Sequence, residues 1–326
     1  MITRRVVLVS GLAALATPLA AVAQPAGKVY RIGCLSATSE STASQFFEPF
    51  RERLRELNYV EGRNIAFEYR WADGRYERLG PLATELVHLP VDLIFATSAP
   101  AASAAKRATS TIPIVMRITA DPVEIGLAKN LTRPGGNVTG VADFVAPNGK
   151  HLELLKQVLP RLKRVAILKN PAGVQTPSQL KGVMEFAWAL GLQLHVVEAR
   201  TAEDLEGAVE AAARSGSGAM TILSDGLFTI HRRRLAELAL KSRLPATYQR
   251  REFAEAGGFF SYGSGLGEQY RQAAGVVDRI LQGARPADLP IEQPTKFELV
   301  INRKTARALG LTIPPSLLLR ADQVIE

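Results

Sequence analysis

Apolar residues along this chain follow two spacings that alternate. Mainly apolar runs such as 29–35 are typical of strands buried on both faces, and residues 65–71 alternate apolar with polar, as a strand does. Apolar residues three or four positions apart, as in 47–57, indicate one face of a helix. The pattern predicts strands at 29–35, 65–71, 91–96, 112–118, 164–168, 192–198, 219–223, 245–248, 258–262 and 297–301. It predicts helices at 47–57, 79–89, 99–108, 122–131, 150–159, 178–190, 202–214, 229–242 and 267–281.

This alternation predicts an α/β protein whose parallel sheets are covered by helices on both faces. A Gly/Pro break at 133–137 divides the pattern into two runs, so we expect two doubly wound, Rossmann-like lobes. In such sheets, ligands bind beyond the carboxyl ends of the strands. Two lobes with these edges facing each other would form a cleft between them.

The chain begins with a segment that we exclude from the fold. Arg4 and Arg5 precede an apolar run, and Ala21-Val22-Ala23 has small residues at the two positions that a signal peptidase reads. Residues 1–23 therefore predict a cleavable export signal of the Sec or twin-arginine type. No cysteine lies at the cleavage point, so we expect no lipid anchor and a periplasmic location.

The composition gives little indication of catalysis or of a charged partner. Loss of the signal lowers the formal net charge from +9 to +7, and export argues against a nucleic-acid partner. Cys34, the one cysteine, ends an apolar run and is expected in the core. The four histidines are far apart, and no Walker loop or Gly-x-Ser-x-Gly elbow occurs. We predict no catalytic residue, no metal site and no cofactor.

Polar residues at predicted strand ends are the candidates for binding. In the first lobe, Thr97 and Ser98 lie where a strand ends and a helix begins, so Ser98 is an expected N-cap and free N–H groups near Ala99 could hold a carboxylate or phosphate. Simple helix capping is the alternative role. The other first-lobe candidates, at the ends of neighbouring strands, are Ser36, Ala37, Ala120 and Asp121.

The second lobe offers Asn170 and Asp225 at matching strand ends. An acid such as Asp225, across a cleft from an anion site, would suit the ammonium group of a zwitterion, although it could also be a helix cap. Three aromatic residues near these ends, Phe144, Phe228 and Tyr262, could stack on a ring or lie in the core.

Several segments carry a family resemblance. They are LRELNYVEGRNI at 54–65, TSTIPIV at 109–115, Asp121-Pro122, RPGGNVTG at 133–140, REFAEAGG at 251–258, QPTKFELVIN at 293–302 and LTIPPS at 311–316. With these segments, in this order, the chain resembles the tryptophan/tyrosine-type ABC transporter substrate-binding proteins, which have the type I periplasmic binding protein fold.

The resemblance implies two lobes joined by three crossings, near 142–145, 260–263 and 286–294. The expected lobes are 28–142 with 263–285, and 145–260 with 290–326. It also implies that Thr97, Ser98 and Ala99 hold a carboxylate, with help near Ala120 and Asp121. In the second lobe it implies that Asp225 pairs with an ammonium group. This chain has ATSAP at 96–100 where many relatives have A-x-G-T-P, a departure from the family pattern within this cradle.

The resemblance implies a monomeric receptor that closes around a small carboxylate-containing solute, such as an aromatic or other amino acid, and delivers it to a membrane permease. Two alternatives remain open at this stage. One is a solute-sensing module for a signalling partner, and the other is an exported α/β enzyme, which would need a cluster of acids, bases or metal ligands in the cleft.

Overall fold

The computed structural model describes residues 28–143 and 147–326. The predicted export signal and Phe144 lie outside the described residues. Within those ranges, none of the helices has the length and apolar character needed to cross a bilayer.

The first lobe is a five-stranded parallel sheet of order β2-β1-β3-β4-β5. Its strands are β1 Tyr30–Ser36, β2 Ile65–Trp71, β3 Leu93–Ala96, β4 Ile114–Ile118 and β5 Val138–Ala142. Its helices are α1 Glu40–Glu56, α2 Leu79–His88 and α3 Ala99–Ala108, with α10 Leu266–Leu281 contributed from later in the chain.

Both faces of this sheet are covered, because its strands are apolar on both sides. Helices α1 and α10 pack on one face, where Phe50 stacks on Phe95 with ring centroids 4.4 Å apart. Helices α2 and α3 cover the other face. Cys34 is completely buried, as predicted, and burial raises the pKa of its thiol.

The second lobe is a seven-stranded sheet of order β12-β11-β10-β9-β8-β6-β7. Its strands are β6 Arg164–Lys169, β7 Gln193–Glu198, β8 Ala219–Ile222, β9 Ala246–Tyr248, β10 Phe260–Ser264, β11 Phe297–Asn302 and β12 Gln323–Ile325. Its helices are α4 Pro147–Val158, α5 Thr176–Ala189, α6 Asp204–Arg214, α7 Gly226–Ile230, α8 Arg232–Lys241, α9 Arg251–Glu255, α11 Arg303–Ala308 and α12 Pro315–Leu318. All pairs are parallel except β10 with β11. The two α/β lobes predicted from the sequence are therefore present.

Two local predictions are wrong. The expected helix at 122–131 is a series of turns, and Gly126 within it has φ +71°. Strand β5, which was not predicted, directly follows the Gly/Pro break at 133–137. Gly140 in β5 has φ +140°, and a Cβ on it would overlap the carbonyl oxygen of Met116, so this position requires glycine. Because glycine is uncommon in strand interiors, it weakened the sequence pattern that would have predicted β5.

The lobe boundaries differ from the expected ones by a few residues. Gly263 and Ser264, expected in the first lobe, pair with β11 of the second. Ile291 and Glu292, expected in the second lobe, lie against β5 of the first, where Ala142 N donates to the carbonyl oxygen of Glu292 at 2.9 Å. Sheet pairing, which the sequence pattern does not reveal, decides these positions.

Candidate functional site

A small cavity of about 30 Å³ lies between the lobes at the carboxyl ends of the strands. This is space for about two water molecules. We call this cavity the cleft. The first lobe lines it with Ala37, Thr38, Phe46, Tyr76, Thr97, Ser98, Ala99, Pro100, Arg117, Thr119 and Tyr270. The second lobe lines it with Gln175, Ser224, Asp225, Gly226, Thr229 and Arg250.

The start of α3 forms one wall, as the turn after β3 predicts. Ser98 is the N-cap, and its hydroxyl accepts a hydrogen bond from Ala101 N at 3.3 Å. Ala102 N donates to the carbonyl oxygen of Ser98, and Pro100 has no N–H group. This turn therefore presents at most the N–H groups of Ser98 and Ala99 to a solute, which is a smaller cradle than the sequence predicts.

Arg117, on β4, lies next to this wall and was missed in the sequence analysis. Its side chain is buried, donates to the carbonyl oxygen of Thr97 and, at 3.4 Å, to Oε1 of Gln269, and lies 5.5 Å from the ring centroid of Tyr270. Burial and the nearby charge of Arg250 lower the pKa of Arg117 to about 10, so its guanidinium stays charged near neutral pH. An arginine in the buried run IVMRI was the available signal.

Asp225 is the N-cap of α7 and accepts hydrogen bonds from four donors. Leu227 N donates at 2.9 Å and Asn170 Nδ2 at 3.2 Å to one oxygen. Gln175 Nε2 donates at 3.3 Å and the Tyr76 hydroxyl at 2.6 Å to the other. Burial raises the pKa of Asp225, although each of these hydrogen bonds acts in the opposite direction. The predicted cap and the predicted position in the cleft are thus both found for this residue.

Arg250 follows β9 and brings a second guanidinium to the cleft. Its Nη2 lies 3.5 Å from the hydroxyl of Ser224. The sequence analysis missed it, although it stands two residues after a predicted strand end, where the same rule selected Asp225.

Contacts between the lobes show that the cleft is closed in this structure. The Tyr76 hydroxyl of the first lobe donates to Asp225 and accepts from Gly226 N at 3.2 Å. Gln179 Nε2 of the second lobe donates to the carbonyl oxygen of Thr119 at 3.0 Å. Burial, with the charge of Asp225, raises the pKa of Tyr76, which keeps its hydroxyl a donor.

Of the predicted residues, Ala37, Thr97, Ser98, Ala99 and Asp225 line the cleft together. Two other predicted residues do not line the cleft but form hydrogen bonds with residues that do. Ser36 accepts a hydrogen bond from Thr97 Oγ1 at 3.0 Å, and Asn170 donates to Asp225.

The remaining predicted residues have other places. Ala120 is in the core of the first lobe. Asp121 caps the turns after β4, because its Oδ1 accepts from Val123 N at 2.7 Å. Phe228 is completely buried beside β8, and Tyr262 packs against Phe297 and His151. In their place, Phe46, Tyr76 and Tyr270 supply the aromatic surface of the cleft.

The ionisable side chains that line the cleft are Tyr76, Arg117, Asp225, Arg250 and Tyr270. Among the residues that the structure describes, no three His, Cys, Asp or Glu side chains are grouped to hold a metal ion. His151 is buried away from the cleft lining, and burial lowers its pKa to about 3.

Comparison with known proteins finds matches that cover most of the chain. A tyrosine-binding protein of Clostridioides difficile is 28% identical over 287 residues, which cover 87% of this chain and 82% of the relative. A conserved domain protein of Vibrio cholerae matches in structure with a TM-score of 0.87 and 29% identity, over 91% of this chain and 100% of that one. The ABC domain of Streptococcus pneumoniae in complex with L-Trp matches with a TM-score of 0.86 and 26% identity, over 91% and 100%.

More distant solved structures share the same two-lobed architecture, which is that of the type I periplasmic binding proteins. The family model described as "ABC transporter substrate binding protein" matches residues 32–325. A match of this extent, on a chain whose lobes enclose a cleft with groups of both charges, shows that the protein belongs to the ABC transporter substrate-binding protein family.

Proposed function

We propose that this protein is the exported receptor of an ABC importer and binds an amino acid, most suitably an aromatic one, in the cleft. The observation that carries the proposal is the pairing of opposite charges with aromatic surface. Arg117 and the start of α3 face Asp225 across a cavity bordered by Phe46 and Tyr270. The L-Trp complex and the tyrosine-binding relative support the same class of solute.

Each group has a role in this proposal. The N–H groups of Ser98 and Ala99, with the charge of Arg117, hold the carboxylate of the solute. Asp225 holds the ammonium group, and the rings of Phe46 and Tyr270 offer apolar contact to a side chain. No bond of the solute is broken.

Closure of the lobes accompanies binding. The solute first contacts one lobe, and rotation about the crossings brings the second lobe over it and excludes water. The closed form then docks on a membrane permease on the outer face of the membrane, which agrees with the predicted export signal. A solute favours this form only by its additional affinity for it.

A thermal-shift screen of the chain from residue 24 onward tests the proposal. The set includes L-Trp, L-Tyr and L-Phe, with other amino acids for comparison. A solute at 100 times its Kd adds about 2.7 kcal/mol to the free energy of unfolding, which raises the Tm by several degrees. No rise with any amino acid, or release of a product from a bound one, would contradict the proposal.

A further inference from the structure

Two guanidinium groups enter the cleft from opposite lobes. Arg117 comes from β4 of the first lobe and Arg250 follows β9 of the second. Within the described residues, no carboxylate oxygen lies within 4.0 Å of either group. In this part of the chain neither cation has an ion-pair partner in direct contact, although the charge of Asp143 acts on both.

Burial makes this arrangement costly for Arg117. Its side chain is only 5% exposed, and its Nε has no hydrogen-bond partner. A buried charge is normally paired, because the lost hydration must be offset. The acids whose charges act on Arg117, Asp143 and Glu252, are not in direct contact with it, and Asp143 is held instead by Ser264 and Gln269.

Arg250 is held only loosely. Among the described residues, the hydrogen bond found for it is the 3.5 Å contact from Nη2 to the Ser224 hydroxyl, so most of its five N–H donors remain available to an incoming group. Both residues line the same small cavity of the closed form, and the charge of Arg250 acts on Arg117. Like charges that approach each other in a cavity of low dielectric repel.

We propose that the anionic group of the solute bridges Arg117 and Arg250, and that this bridge couples binding to closure. In the empty protein, repulsion between the two guanidinium groups opposes closure. A carboxylate between them turns this repulsion into two charge-assisted attractions, one to each lobe. This inference rests on the proposed function, and it makes Arg250 a binding residue that selects for carboxylate-bearing solutes.

The test compares Arg250→Gln with Arg233→Gln. Arg233 is exposed on α8 and its loss changes the net charge equally. The probes are L-Trp and L-Tyr, with tryptamine and tyramine, which lack the carboxylate. We expect Arg250→Gln to weaken binding of the amino acids by about 10- to 100-fold, as the loss of a charged hydrogen bond does, and to leave or improve binding of the amines. The control should bind as the wild type does.

A second measurement needs no solute. Small-angle X-ray scattering of the empty proteins should give a smaller radius of gyration for Arg250→Gln than for the wild type and for Arg233→Gln, because the repulsion is gone. Arg117→Lys keeps the buried charge but not the planar fork, and should weaken binding of the amino acids while it folds normally by circular dichroism.

The outcomes separate the two proposals. If the wild type binds none of the four probes, the proposed amino-acid function fails, and the scattering comparison still decides whether the two arginines oppose closure. If the wild type binds L-Trp or L-Tyr and Arg250→Gln binds them equally well, the carboxylate bridge is wrong. Equal radii of the empty proteins would refute its coupling to closure.

Discussion

Replacement of Tyr76 by Phe should open the cleft without unfolding either lobe. The Tyr76 hydroxyl belongs to the first lobe, and its two partners, Asp225 and Gly226 N, belong to the second. The substitution therefore removes hydrogen bonds that exist only when the lobes are together. It leaves the buried Asp225 oxygen with Gln175 Nε2, at 3.3 Å, as its remaining donor.

The expected size of the effect follows from the charge of the acceptor. A hydrogen bond to a charged group contributes about 1.5–3 kcal/mol. If that free energy comes from the closed form alone, the closure equilibrium shifts by about 10- to 150-fold toward the open form. When the closed form is the one that binds tightly, the apparent affinity for a solute falls by a comparable factor.

Calorimetric titration with the solute found by screening gives the affinity, and small-angle scattering of the empty protein gives the closure. Tyr59→Phe is the matched control, because the Tyr59 hydroxyl donates to Asp278 at 2.9 Å within the first lobe. It should lower the Tm and leave the affinity unchanged. Wild-type affinity and scattering for Tyr76→Phe would refute this account of the closed form.

Three further outcomes are expected. In the same titration, Asp225→Ala should weaken the binding of an amino acid far more than the binding of its deaminated analogue. Equal losses of affinity would exclude Asp225 as the partner of the ammonium group. Burial lowers the pKa of His151 to about 3 from 6.5, so the unfolded chain takes up this proton first and stability falls below pH 6.5. Between pH 7 and pH 4.5, urea unfolding should show a fall in the free energy of unfolding that is about 2–3 kcal/mol smaller for His151→Leu than for the wild type. Equal falls in the two proteins would count against this role of His151. Gly140→Ala should lower the free energy of unfolding by at least about 2 kcal/mol, because its Cβ would overlap the carbonyl oxygen of Met116. Gly80→Ala, with open space around it in α2, should raise the free energy of unfolding by about 0.5–1 kcal/mol in the same assay.

Much of the fold could be predicted because the information is local. The apolar runs and the 3.6-residue spacings lie within single elements, and their alternation indicates parallel sheets whatever the final packing. Strand β5 was not predicted because the requirement for glycine at position 140 comes from the backbone of Met116, which is close in space but distant in sequence.

The candidate site divides in the same way. Thr97, Ser98 and Asp225 could be found because a polar residue at the end of a strand, before a helix, is a local pattern. Phe228 and Tyr262 lie near such ends too, but whether each ring enters the cleft or the core depends on packing that the local spacing does not reveal.

The sequence by itself determined that two α/β lobes would form and which strand ends would carry polar groups, since both follow from spacing along the chain. The tertiary structure alone decided what faces what. It brought Arg117 beside Thr97, Arg250 beside Ser224 and Tyr76 against Asp225. Tyr76 and Asp225 belong to different lobes and are 149 positions apart in the sequence, so their contact exists only in the closed molecule.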